Sequence, residues 1–340
     1  MKIREIGEQG LLQRLQRFCP SEIVGDDAAV MGVQPGRSLV VTTDVLVDGV
    51  HFSDRTTSPQ DVGWRAAAVN LSDLAAMGAS PLGITVGLGV TGDTLVSWVE
   101  QVYEGMSECL QPYNTPIVGG DVVRSPVITL SITAFGEAIP NRIIRRNTAQ
   151  PGDAIVVTGV HGASRTGLEL LLHPQLGNNL SDPERNSLIQ AHQRPKPRLD
   201  ILPILWDILD SQSKIQNPNY QSKIPIAGMD SSDGLADAIV QICRASGVGG
   251  RVERSQIPLP DSLLNFVSSE QALNWALYGG EDFELVLCLP PEIARKLVEK
   301  LDVKAAIVGK ITVDKAVLLV DNTAKYPDIT LNLSQGFQHF

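Results

Sequence analysis

Six segments of this chain run an apolar stretch into an Asp or Glu beside Gly, Ser or Thr: VGDD (24–27), VTTD (41–44), NLSD (70–73), VGGD (118–121), MDSSD (229–233) and GGED (279–282). One such segment is ordinary turn chemistry, and the adjacent Asp26 and Asp27 taken alone read as a turn between strands. Six of them, spread from residue 26 to residue 282, point to a coordinated site. Hard divalent cations take oxygen ligands, and magnesium uses a few carboxylates and completes its shell with water and substrate phosphates. Carboxylates without a His or Cys cluster match that preference. A structural calcium site is the competing reading, and it leaves the spread of the carboxylates unexplained.

No GxxxxGK[ST], GxSxG or HExxH occurs, and the five histidines are isolated in sequence. The Gly-rich stretch VTGVHGASRTG (157–167) lacks the phosphate-binding lysine and reads as a turn that packs a strand against a helix.

Two of the acidic segments can be assigned to elements. SLVVTTDVLVDGVHF (38–52) reads as a strand, on which Thr42 and Asp44 share a face. Residues 58–80 read as a helix, with Ser58 as N-cap, Pro59 in the first position, Asp61 completing a box-like cap and Gly78 ending the segment. Val62, Ala66, Val69 and Asp73 fall on one stripe of that helix, which turns Asp73 toward the core side. A β-rich run (81–90), an amphipathic helix (93–113) and two strands follow. Polar RNTAQPGD (146–153) marks a domain junction before the strand AIVVTG. Beyond it lie a helix after the Gly-rich turn, a polar helical stretch, a strand ending in MDSSDG, helices near 235–245 and 292–301, and terminal strands. LDSQSKIQNPNYQSK (209–223) has the composition of an exposed loop or insertion.

With 340 residues, 43% of them hydrophobic, the chain can build two cores. A net charge of −10 argues against a nucleic-acid or membrane-surface partner. Four scattered cysteines without a CxxC suggest neither zinc nor a disulfide framework. No signal segment or membrane-spanning apolar run is visible, so a cytoplasmic location is expected.

In order and spacing, GDDAAV, TTDVLVDGVHF, AVNLSDLAAMGASP, VGGDVVRS, RRNTAQPGDAIVVTG, DSSDGLADA, WALYGGEDFEL and GFQHF resemble the motifs of the thiamine-monophosphate kinase family, in the superfamily that includes aminoimidazole-ribonucleotide synthetase. The resemblance runs over nearly the whole chain. Ser231 stands where an apolar residue is common, and 209–223 is extra sequence. The implied fold is α/β (α+β) in two domains. Residues 1–148 would bind ATP and metal and pair with a second copy through a shared β-barrel, and 149–340 would form a C-terminal α/β domain.

The activity implied by the resemblance is transfer of the ATP γ-phosphoryl group to thiamine phosphate, assisted by several magnesium ions. Family metal ligands correspond to Asp27, Thr42, Thr43, Asp44, Asp73, Asp121, Asp230 and Asp233, with Asp44, Asp73, Asp230 and Asp233 central to catalysis. Tyr103, Gly120, Asp121, Arg146 and Ser232 correspond to the nucleotide side, and His51, Glu281 and Phe337 to the thiamine side. Read from the residues alone, packing is the more common explanation for Tyr103 on its amphipathic helix, and Arg146 equally suits a solvated charge beside Arg145. Rival readings are other ATP-using members of the superfamily, selenophosphate synthetase or the hydrogenase-maturation dehydratase, and a non-catalytic nucleotide sensor. Cys19 lacks the glycine-rich setting of the first rival, and the QHF end lacks the cysteine expected of the second.

Overall fold

Two units divide the chain, one comprising Met1–Leu74, Ala79–Pro140 and Gln193–Lys196, the other Ala75–Gly78, Asn141–His192 and Pro197–Phe340. The computed structural model describes all residues except 22, 24–27, 217–224, 266, 302–303 and 337–340. Asp27 and Phe337 therefore lie outside the described residues.

The first unit contains α1 (Ile3–Leu15), β1 (Ser38–Val47), α2 (Pro59–Ala76), β2 (Ser80–Val90), α3 (Val96–Leu110), β3 (Ile117–Arg124) and β4 (Thr129–Ala138). Its sheet runs β1-β4-β2-β3, antiparallel except for the parallel β2–β3 pair. Register stacks Leu46, Leu130, Leu88 and Val122 in one buried row across all four strands. The next row, Asp44, Ile132, Val86 and Gly120, lies on the same face, because side chains alternate along a strand.

α2 begins as its sequence implies: Ser58 Oγ accepts from Asp61 N at 3.2 Å and donates to the Asp61 carboxylate at 2.6 Å. It ends before Gly78, whose φ of +71° suits glycine. The expected amphipathic stripe is only partly present. Ala67, Ala68, Asn70, Leu71, Ser72, Leu74 and Ala75 are buried as well as Val62 and Ala66, whereas Val69 and Asp73 are only half-buried. A helix buried almost all round has no single core face, and Asp73 occupies its more open side. α2 and α3 approach backbone to backbone, since a Cβ on Gly63 would collide with the Val102 carbonyl and one on Gly105 with that of Gln60.

The second unit contains β5 (Ala154–Val157), α4 (Ala163–Leu172), α5 (Asp182–Gln193), α6 (Ile201–Gln216), β6 (Ala227–Asp230), α7 (Leu235–Ser246), β7 (Gly249–Glu253), α8 (Ser269–Tyr278), β8 (Leu285–Leu289), α9 (Pro291–Lys300), β9 (Ala306–Thr312), β10 (Val317–Val320) and β11 (Ile329–Thr330). Its seven strands lie in the order β11-β10-β7-β9-β5-β8-β6. β5 and β8 are buried throughout and read as continuous apolar runs; α7 packs Ile239, Ile242 and Cys243 into the core they share with Ile155, Val286 and Cys288. Where a loop was expected from residue 209, α6 continues through Gln216. Ile201, Leu205, Ile208 and Gln212 are buried at spacings of four, three and four, and this stripe carries the helix past the polar composition. Residues 217–223 lie outside the described part.

Both units mix helix and strand, giving a two-domain α/β architecture. Among the described residues no helix is long and apolar enough to cross a membrane.

Candidate functional site

In the first unit, β1 and α2 bring Thr42 and Asp73 together, and Thr42 Oγ1 donates to the Asp73 carboxylate. Asp44, two residues along β1, is on the same face as Thr42 and half-buried. Thr43 faces the other way and meets Thr133 Oγ1 at 2.9 Å across the β1–β4 pair. Asp121 is exposed on β3, paired in register with Gly87 in the same cross-sheet row as Val45. The sheet thus holds Asp44 on one face and Thr43 and Asp121 on the other. Gly120, next to Asp121, is needed for strand packing, because a Cβ there would strike the Val86 carbonyl.

His51 closes the turn after β1, with Nδ1 accepting from Val47 N at 3.0 Å. Arg65 of α2 reaches its carbonyl at 3.4 Å. Tyr103 is 4% exposed, its ring 5.5 Å from that of Phe18, and burial pushes its phenol pKa upward.

In the second unit the sheet order gathers motifs that are far apart in sequence. β5 and β6 flank β8 antiparallel, with Val157 opposite Val286 and Asp230 opposite Leu285. The segments that follow Val157 and Asp230 therefore meet the one that precedes Leu285. Ser231 N donates to Glu284 O at 2.9 Å, Glu281 N to Ser232 O at 2.6 Å, and Thr158 N to Leu285 O at 3.1 Å. Asp230 is buried and accepts from Ser232 Oγ at 3.1 Å; Asp233 is exposed. Arg146, in the turn before β5, donates to Gln241 Oε1 of α7 at 2.7 Å.

The GGEDFE backbone is unusual. Glu281 and Phe283 have φ of 60° and 53°, a left-handed conformation that bulky residues seldom adopt and that concentrates at functional sites. It aims the Asp282 carboxylate at the N-terminus of α4, where it accepts from Gly162 N at 2.7 Å and Ser164 N at 2.9 Å. Burial raises the Asp282 pKa to about 7 against the pull of these donors.

Several residues of this cluster carried no signal in the sequence. His161 is buried, with Nε2 3.1 Å from Ser231 Oγ. His192, also buried, has Nδ1 3.2 Å from Ser164 Oγ and 3.5 Å from Glu281 Oε2. Glu284 accepts from Arg198 and, at 2.5 Å, from Thr158 Oγ1. Burial works against charge on both members of that pair: it raises the Glu284 carboxyl, with Arg198 and Thr158 pulling back. It also opposes charge on the Arg198 guanidinium, whose pKa Glu284 and Asp200 nonetheless hold above the usual value. The Gly-rich turn does join a strand to a helix, but its Thr158, His161 and Gly162 also bind the acidic segments.

Burial depresses the His161 pKa to about 4. Between that value and the unfolded value of 6.5, the unfolded chain binds the extra proton, so the His161 contribution is lost as pH falls. Asp282, whose pKa is raised, acts with the opposite sign. In urea unfolding, His161→Gln should therefore remove up to ~1.4 kcal/mol per pH unit of acid destabilisation relative to the parent between these values. Identical pH slopes for the two proteins would refute a buried, neutral His161.

Among the described residues no three His, Cys, Asp or Glu side chains gather as a metal centre. The donors at hand are all oxygen: Thr42, Asp44 and Asp73 in one unit, Asp230, Ser232 and Asp233 in the other. Asn70, one turn before Asp73, keeps its buried Oδ1 without a hydrogen-bond donor. The residues fit a hard cation.

The N-terminal domain of AIR synthase related proteins matches residues 25–138, and the C-terminal domain of the same proteins matches 150–321. The thiamine-monophosphate kinase of Synechococcus elongatus is 50% identical over 340 residues, covering 99% of this chain and 98% of that one. Among solved structures, the thiamine-monophosphate kinase of Stenotrophomonas maltophilia is 30% identical with a TM-score of 0.74, over 92% of this chain and 94% of that chain. A structure described as AaThiL complexed with AMPPCP and TMP is 31% identical with a TM-score of 0.71, over 97% and 98% respectively. With both domains matched in order and half of all residues shared along the full length of a relative, the chain belongs to the thiamine-monophosphate kinase family of AIR synthase related proteins.

Proposed function

We propose that this kinase transfers the γ-phosphoryl group of ATP directly and in line to thiamine phosphate, giving thiamine diphosphate and ADP. The full-length kinship to a thiamine-monophosphate kinase carries the reading, supported by a relative solved with AMPPCP, an ATP analogue, and TMP. The acceptor is a phosphate monoester whose second pKa near ~6 leaves it largely ionised at neutral pH, so no general base is needed. What the protein must do is hold two polyanions in line.

In this reading Asp44 and Asp73 with Thr42, and Asp230 with Asp233, hold magnesium together with Asp27, while Thr43 and Asp121, on the other face of the sheet, are assigned to a separate ion. Magnesium held by these residues would supply charge neutralisation to the two phosphate-bearing substrates. Ser232, tethered to Asp230, faces the nucleotide phosphates; Gly120 and Arg146 flank the nucleotide, and Tyr103 underlies it through its packing with Phe18. His51, Glu281 and Phe337 hold the thiamine moiety, Glu281 through its negative charge against the thiazolium cation. Incubation with ATP, magnesium and thiamine phosphate, followed by mass analysis, should show thiamine diphosphate and ADP in equal amounts. Untouched thiamine phosphate alongside ATP-dependent consumption of selenide or an aminoimidazole precursor would overturn the assignment.

The reading includes a homodimer. Leu39, Val41 and Val45 on β1 and Val123 on β3 are each 47% exposed or more, an apolar set on the outer sheet face. Such a face on a β-sheet calls for cover. We assign that cover to the same face of a second copy, which would also enclose Thr43 and Asp121. Val41→Asp combined with Val45→Asp should convert a sedimenting dimer to monomer; an unmodified protein that sediments as a monomer at micromolar concentration would exclude the interface.

A further inference from the structure

We infer that His192, held by Ser164, is a positioning residue that sets the Glu281 carboxylate for the thiamine cation; this rests on the substrate reading above. The side chain of Glu281 is 34% exposed, so it has an outer part for a ligand and an inner part for the protein. On the inner side, His192 Nδ1 is 3.5 Å from Glu281 Oε2 and 3.2 Å from Ser164 Oγ. In this arrangement the ring hydrogen is assigned to Nδ1, from which it can serve the Glu281 carboxylate as well as Ser164 Oγ.

The surroundings are built for this contact. Ser164 is fixed by its own backbone N–H, which donates to the carboxylate of Asp282, the neighbour of Glu281. α5 can bring His192 this close only because Gly167 lies beneath it: a Cβ there would collide with the Leu188 carbonyl and come within 3.0 Å of His192 Cβ. On the other side, Glu281 N is bonded to Ser232 O and its backbone is left-handed, so neither end of the residue is free to choose its direction. The approach of His192 to a half-open carboxylate, on strained backbone bonded to Ser232 O, is what a preorganised cation site requires.

A double-mutant cycle tests the inference, read by calorimetric titration of the full chain with thiamine phosphate in magnesium and, separately, with ADP. Glu281→Gln and His192→Ala should each raise the Kd for thiamine phosphate about tenfold, and the double variant should be no more than about twofold weaker than Glu281→Gln alone. His192→Asn, which returns an N–H near the position of Nδ1, should recover binding to within about threefold of the parent. ADP affinity should not change in any variant. If His192→Ala is too unstable to titrate, His192→Phe fills the space without the donor and completes the same cycle. Multiplicative losses in the double variant, or parental binding by either His192 variant that lacks the donor, overturn the proposal alone. Failure of the unsubstituted protein to bind thiamine phosphate while it binds ADP overturns the substrate reading, and the proposal with it.

Discussion

Asp73→Asn and Asp44→Asn should each lower kcat about a thousandfold at saturating ATP, a loss of ~4 kcal/mol from transition-state stabilisation. The substitution keeps the shape of the side chain, and Thr42 Oγ1 can still donate to the amide oxygen at position 73. Only the charge is lost. A carboxylate draws a divalent cation far more strongly than an amide does, and the cation in turn lowers the cost of bringing two phosphate-bearing substrates together. Because Asp73 is half-buried and Asp44 lies on an edge strand, the fold should tolerate either change, with thermal midpoints within a few degrees of the parent. The magnesium concentration for half-maximal rate should rise in both variants. Parental turnover with parental magnesium dependence in either one would remove that residue from the site.

The local parts of this architecture are legible in the sequence. Ser58, Pro59 and Asp61 announce the start of α2, and Gly78 its end, because caps are short-range chemistry. The alternation that puts Thr42 and Asp44 on one face of β1 also follows from strand geometry, and it separates Thr43, which the family resemblance had grouped with them. The cluster of the second unit was not legible in this way. His161, Ser164, His192, Arg198 and Glu284 come together because β5 and β6 both flank β8, and strand order is decided by long-range packing. Five histidines isolated in sequence gave no hint that two of them back the same acidic loops. α6 shows a second cause, since polar composition over 209–223 suggests a loop, while a buried stripe at helical spacing keeps the helix going through Gln216.

The cluster's largest effect on stability should come from Arg198. Arg198→Ala is expected to destabilise the second unit by about 3–5 kcal/mol, the usual result of removing one partner from a buried ion pair. Arg198 is 6% exposed, and its guanidinium donates to Glu284, to Thr158 O at 3.0 Å and to Asp200 at 3.1 Å. Glu284 has little room to find another cation or water, for its second oxygen sits where a Cβ on residue 159 would be, and that residue is glycine. Truncation therefore leaves a carboxylate enclosed beside Thr158 alone. The cost should depend on pH in a definite direction. Burial already raises the Glu284 pKa above 4.5, and loss of Arg198 raises it further, so the folded variant takes up a proton that the unfolded chain releases. Stability of the variant then falls as pH rises from 4.5 through the folded pKa, and the deficit against the parent should be larger at pH 8 than at pH 5. Replacing both partners, Arg198→Met with Glu284→Leu, should cost less than Arg198→Ala, since neither charge is then stranded. Urea unfolding at the two pH values reads all three outcomes. An Arg198→Ala variant within about 1 kcal/mol of the parent at pH 8, the scale of an exposed pair, would show that Glu284 is not held as a buried anion.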